Sequence, residues 1–280
     1  QTNPEFLCIL GRVLVYKNDN STAEAVLRKA AEQCTSVPCL HKVQIVMAEG
    51  LYLSQDYGSV LKTLEKLLTD TVSSPMPWFM SGSSKYYLGQ INEAIPDLEN
   101  AHDRYKNDSL FVWDGHCLQL LAQGTIKMKQ YDKSLKYIDI MLAEELKDSV
   151  KISSFHSMKG EVYMNQYLTD QAISAFEKAI AYNPANMDAF AALSEAYQKK
   201  GDAAKAEEIM NSTTKLRPTD PEAYFQLGMY YLKKNNATAA STNMDKAISL
   251  DPTNPKYPAA ASMAYSDAKE YTKAIQYCMK

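Results

Sequence analysis

This chain of 280 residues has little with which to do chemistry. Its four histidines, His41, His102, His116 and His156, are scattered, and none sits four residues from another as a helical zinc site requires. No C-x-x-C pair, no G-x-S-x-G and no G-x-G-x-x-G occurs. Ser81-Gly82-Ser83-Ser84-Lys85 lacks the spacing of a phosphate-binding loop and reads better as part of a helix. His116 and Cys117 are neighbours in sequence, so on a helix they point apart and make no catalytic pair. No run approaches the roughly 18 apolar residues of a membrane-spanning helix. With 30 Lys and Arg against 33 Asp and Glu, no basic footprint for nucleic acid stands out. The expectation is a chain that is not an enzyme and uses no cofactor and no metal. Five cysteines leave at least one unpaired. Cys8, Cys34 and Cys39 either form a disulfide among themselves in an oxidising compartment or stay thiols in a reducing one.

What the chain does have is a period. Pro184, Pro218 and Pro252 stand 34 residues apart, as do Tyr163, Tyr197, Tyr231 and Tyr265, and Ala172, Ala206, Ala240 and Ala274. A fixed step of that size means one small unit repeated. Within one unit, 155–166 reads as a helix with Gly160 and Tyr163 on one face, and 170–182 as a second with Ala172, Phe176 and Ala179. The link between them is short enough only for a turn, and Asn183-Pro184 closes the unit. Asn186-Met187-Asp188, Asp220-Pro221-Glu222 and Asn254-Pro255-Lys256 then supply helix-start chemistry for the units that follow.

These residues resemble the tetratricopeptide repeat (TPR) family, with its W-x2-L-G-x2-Y…A-x3-F…P pattern. Three units carry most of it, as in Tyr224, Leu227, Gly228, Tyr231, Ala240, Met244, Ala247 and Pro252. Upstream, Gly11, Ala48, Gly82 and Ala122 occupy the small-residue slot, and Trp78 precedes Gly82 by four as the family pattern has it. Small residues belong where paired helices cross closely. Steps between these slots of 37, 34, 40 and 38 place insertions in the closing turns at 34–39, 106–114 and 145–151. Lys85 stands where the family has tyrosine. The resemblance implies an all-α fold, a right-handed superhelical solenoid of antiparallel helix pairs. It would be a single array of about eight repeats: 4–40, 41–74, 75–114, 115–152, 153–186, 187–220, 221–254 and an incomplete 255–280.

The resemblance further implies that the first helix of each unit lines a concave groove that receives a peptide or a partner helix. On the matching positions, the expected groove residues are Glu49, Tyr52, Phe79, Met80, Tyr87, Gln123, Met158 and Glu161. Aromatics and methionines suit adaptable recognition, and Glu161, Glu195 and Glu222 would favour a basic segment nearby. The cationic clamp by which some family members hold a peptide carboxylate is missing, because Lys256 alone matches it. The expected role is a non-catalytic scaffold or adaptor for a protein or peptide partner. The alternative is a docking or sensor region of a larger regulatory protein or enzyme. Self-association through the end repeats stays open. So does the compartment: cytoplasmic by default, or periplasmic or secreted if a leader has been removed ahead of Gln1. Further repeats could flank both ends.

Overall fold

The computed structural model describes residues 3–65, 67–68, 74–105, 114–145, 147–267 and 269–279. Among them are sixteen α-helices and no strand. The chain divides into two compact units, 1–141 and 142–280. The first holds α1 (Pro4–Tyr16), α2 (Asn20–Gln33), α3 (Val37–Leu53), α4 (Tyr57–Leu64), α5 (Pro75–Tyr87), α6 (Ile91–Tyr105), α7 (Asp114–Lys127) and most of α8 (Tyr131–Glu144). The second holds α9 (Ser149–Asn165), α10 (Thr169–Tyr182), α11 (Met187–Lys200), α12 (Ala203–Leu216), α13 (Pro221–Lys233), α14 (Ala237–Leu250), α15 (Lys256–Asp267) and α16 (Tyr271–Cys278).

The helix starts follow from side chains that accept hydrogen bonds from otherwise unmet backbone amides. Asn3, Asp19, Ser36, Asp56, Asp148, Asn186, Asp202, Asp220 and Asn236 all do so. Two of these caps begin helices earlier than the sequence reading had them: Ser36 starts α3 at Val37, and Asp148 starts α9 at Ser149. The turn inside each hairpin is built one way throughout. One residue takes positive φ, at Asn18, Gln55, Gly89, Lys129, Tyr167, Gly201, Asn235 and Lys269. The next amide then donates back to a carbonyl five residues earlier, as Leu168 does to Tyr163 and Asp202 to Tyr197, both at 2.9 Å.

Each hairpin closes where its helices cross at a small residue. A Cβ on Gly82 would lie 2.9 Å from the Leu98 backbone nitrogen and 3.0 Å from the Ala94 carbonyl oxygen. One on Gly160 would meet the Phe176 ring at 2.5 Å. Ala48, Ala122 and Ser194 fill the same slot elsewhere, all buried. Successive hairpins are then tied by the repeated tyrosine. In unit 2 the hydroxyls of Tyr197, Tyr231 and Tyr265 donate to Glu177, Asn211 and Asp245, each 20 residues back on the second helix of the preceding hairpin. Lys85 breaks this pattern. It turns into its own hairpin, where Asp97 Oδ2 accepts from Lys85 Nζ at 2.7 Å and from Ser81 Oγ at 2.6 Å.

Of the three turns expected to carry insertions, 106–113 lies outside the described residues. At 145–148 the Glu145 carboxylate accepts from the amides of Lys147 and Asp148. Across the α2–α3 turn a disulfide joins Cys34 and Cys39. Cys8 stays a thiol, raised in pKa by burial.

Positive φ strains any side chain-bearing residue by about 1–2 kcal/mol, partly offset by the extra chain entropy glycine loses on folding. Tyr167, 91% exposed, buries little side chain. Tyr167→Gly is therefore expected to stabilise the chain by about 0.5–1 kcal/mol, and Gly201→Ala to destabilise it by about 1 kcal/mol, in urea unfolding. Asp97→Ala leaves the Lys85 ammonium, 22% exposed, without its carboxylate, and should cost about 2–3 kcal/mol. Adding Lys85→Met should recover part of that loss.

Candidate functional site

An open concavity of unit 1 runs between α1 and α3 and ends at the start of α5. It measures about 810 Å³ and is lined by Glu5, Cys8, Ile9, Arg12, Val13, Tyr16, Lys17, Lys42, Ile45, Glu49, Ser74 and Met76. Helical spacing explains the lining: 5, 8, 9, 12, 13 and 16 fall on one stripe of α1, and 42, 45 and 49 on one stripe of α3. Ile9, Val13 and Tyr16 form an exposed apolar rim, 65%, 46% and 62% accessible.

The floor is polar. Arg12 grips Glu49 with both arms of its guanidinium, Nε to Oε2 at 3.0 Å and Nη2 to Oε1 at 3.1 Å. Glu49 is nearly inaccessible, whereas Arg12 stays half exposed. Burial raises the Glu49 pKa, and the Arg12 charge and hydrogen bonds only partly oppose it. Nearby, Lys42 and Glu5 pair loosely at 3.5 Å, both well exposed.

Deeper in unit 1, an aromatic cluster joins α3, α4, α5 and α7. Phe79 meets Tyr52 and His116 edge-on at 5.9 and 5.8 Å, and Tyr57 stacks on Tyr87 at 5.0 Å. The Tyr87 hydroxyl lies 3.1 Å from His116 Nε2. Burial pushes the Tyr52 hydroxyl up to about 12 and the His116 pKa down.

The residues expected to line a groove are therefore distributed unevenly. Glu49 is in the wall of the α1–α3 concavity. Tyr52 is half-buried, Tyr87 is exposed, and Gln123 accepts from the Tyr86 hydroxyl at 3.3 Å. Phe79 and Met80 have no accessible surface, so neither can touch a partner here. The reason is that α3, α4, α6 and α7 all pack on α5, whose inner face is thereby covered. An alanine at Phe79 would empty the core by about 3–5 kcal/mol, so it cannot serve as a binding variant. Met158, half-buried, and Glu161, exposed, stand on α9 of unit 2.

The expected pull on a basic segment also weakens, because Glu195 is paired with Lys199 at 3.3 Å and Glu222 with Lys256 at 3.0 Å. Val13, Tyr16 and Lys17 escaped the sequence reading. The α1 stripe through Ile9 and Arg12 reaches them at steps of four to five residues. Among the described residues, no three His, Cys, Asp or Glu side chains come together as a metal site would need, and no helix is long and apolar enough to cross a membrane.

Stacked antiparallel hairpins of this kind define a helical-repeat protein. Models of the tetratricopeptide repeat match residues 166–227 and 221–254. A TPR repeat-containing protein of Methanocaldococcus jannaschii is 24% identical over 140 residues, half of this chain but 23% of that one. In fold, the chain is similar to a tetratricopeptide repeat protein from Parabacteroides merdae, with a TM-score of 0.61 at 15% identity over 94% of this chain and 99% of that one. It is also similar to the C-terminal part of a TPR repeat-containing protein from Cytophaga hutchinsonii, with a TM-score of 0.57 at 16% identity over 83% and 92%. Residues 166–254 are thus matched as tetratricopeptide repeats, and the fold of the rest of the chain is like that of tetratricopeptide repeat proteins.

Glu49 gives a pH signature. Its folded pKa lies above the ordinary 4.5, so the stability linked to it is fully present below that value and is lost as pH rises through the higher folded one. Glu49→Gln should be within about 1 kcal/mol of wild type at pH 7. Wild type should then gain on the variant as urea melts move from pH 7 to pH 4. A loss above about 2 kcal/mol at pH 7 would mean that the attraction of Arg12 outweighs burial.

Proposed function

We propose that this chain is a non-catalytic scaffold that holds a protein partner in the α1–α3 groove of unit 1. The observation that carries this reading is the exposed stripe of Ile9, Val13 and Tyr16 lying directly above the Arg12–Glu49 pair. Contiguous apolar surface on the rim of a concavity with a charged floor is a recognition feature rather than a fold requirement. The family supports the same reading, since tetratricopeptide repeats are generally scaffolds rather than catalysts. Ile9 and Val13 are one helical turn apart. A partner segment with apolar side chains three or four residues apart would match them, its charged groups meeting Arg12 and the exposed Lys42–Glu5 pair.

A second reading is favoured by one comparison. The matched stretch is under a quarter of the Methanocaldococcus jannaschii relative, so the array would there be one part of a longer polypeptide. On that reading this chain is the docking region of a larger protein, and the groove keeps the same role.

Selection of displayed peptides on the intact chain tests the groove. Selected peptides should carry paired apolar residues, and Ile9→Glu with Val13→Glu should weaken them by about thirty-fold while circular dichroism stays unchanged. Equal binding to the variant would remove the groove from the function.

A further inference from the structure

Unit 2 has a pocket of different chemistry between α11 and α13, about 430 Å³ in volume. Most of its polar lining is already matched. Glu195 and Lys199 pair at 3.3 Å, the Ser194 hydroxyl donates to the Ala206 carbonyl at 2.9 Å, and Gln226 Nε2 donates to Glu222 at 2.8 Å. Three lining groups are not. The Tyr230 hydroxyl has no accessible surface and no hydrogen-bond partner, although the residue is only 6% exposed. Gln198 and Lys233, both exposed, make no hydrogen bond or ion pair among the described residues.

Comparison between repeats shows that these are not accidents of the fold. The slot of Tyr230 holds Val162, Ala196 and Ala264 in the other hairpins of unit 2, all with no accessible surface. Packing there needs an apolar residue, and a hydroxyl contributes nothing to it. Burying one unmet costs about 1–3 kcal/mol. The slot of Lys233 holds Lys199 one repeat earlier, where Glu195 four residues before neutralises it. In α13 that glutamate is replaced by Met229, so Lys233 faces the pocket without an acid one turn before it. Counting the flanks, Lys199, Lys233 and Lys234, the last 5.8 Å from the Tyr230 ring, face Glu195 and Glu207. The balance is positive.

We propose that this pocket receives a carboxylate side chain of a peptide partner. Lys233 supplies the charge, the Tyr230 hydroxyl and the Gln198 amide donate hydrogen bonds, and Met210 and Met229 pack on the methylene groups that carry the carboxylate. Burial, with the nearby Glu207 charge, raises the Tyr230 pKa and keeps that hydroxyl a donor. Methionine side chains are unbranched and flexible, so the hydroxyl is reached by rotation of a side chain rather than by moving a helix. The site uses none of the clamp positions that the sequence lacks, and it stands independently of the α1–α3 groove.

The test uses the intact chain labelled at its methionine methyl groups, with Met210 and Met229 as reporters. The probe is the capped peptide acetyl-Leu-Glu-Leu-amide, and the control is its glutamine counterpart. The glutamate peptide should shift both methyl signals saturably, and the glutamine peptide should bind about ten-fold more weakly. Tyr230→Phe and Lys233→Met should each weaken the glutamate peptide by about five- to ten-fold. Tyr230→Phe should also leave the melting temperature unchanged or raised, which a structural hydroxyl would not allow. Equal shifts from both peptides, or none at 10 mM on the order of a weak single-contact affinity, would overturn the proposal. So would inorganic phosphate shifting the signals where the peptide does not, or a lowered melting temperature in Tyr230→Phe.

Discussion

The fold depends on how closely two helices of a hairpin can approach. At Gly82 the facing helix comes so near that a single added carbon would press on its backbone as well as on the Leu98 side chain. The consequence is a shared seam in which Leu98 sits over Gly82 and Phe176 over Gly160. A hairpin this thin has one apolar edge closed and another open, and only a neighbouring hairpin can cover the open one. The tyrosine hydroxyls then fix how the neighbour sits, by reaching back the same 20 residues in three successive hairpins of unit 2.

The turns show why such a fold tolerates sequence drift. All eight place one residue at positive φ, yet only Gly89 and Gly201 are glycines. The backbone hydrogen bonds that close each turn are made whatever the side chain, so asparagine, glutamine, lysine and tyrosine are carried at a modest local penalty. Capping by Asp19, Asp56, Asp202 and Asn236 on the far side of four of these turns offsets part of it. Small losses spread over many equivalent places leave the architecture intact where a single catalytic geometry would not survive.

Much of this was legible before any coordinates. The small slot, the tyrosine and alanine series and the Asn-Pro or Asp-Pro starts each follow from a constraint that recurs every repeat, and recurrence is what makes a constraint visible in one sequence. The helix starts at Val37 and Ser149 were read late because their caps, Ser36 and Asp148, lie in turns of unequal length. Phe79 and Met80 were misplaced for a different reason. Their repeat positions point inward in register, but burial of α5 depends on how four other helices close over it, and no local spacing carries that information.

The sites proposed here lie where the repeats stop agreeing. A position that is alanine or valine in three hairpins and tyrosine in the fourth is released from the fold's demands at that one place. The same holds for a lysine whose glutamate partner is present in α11 and gone from α13. Arg12 and Glu49 make the complementary case. A guanidinium left half exposed above a carboxylate that burial disfavours is poor economy for stability alone, since apolar residues would fill that space at no electrostatic cost. Charge retained against that cost, beside an apolar rim the core does not use, is what the proposed partner would meet.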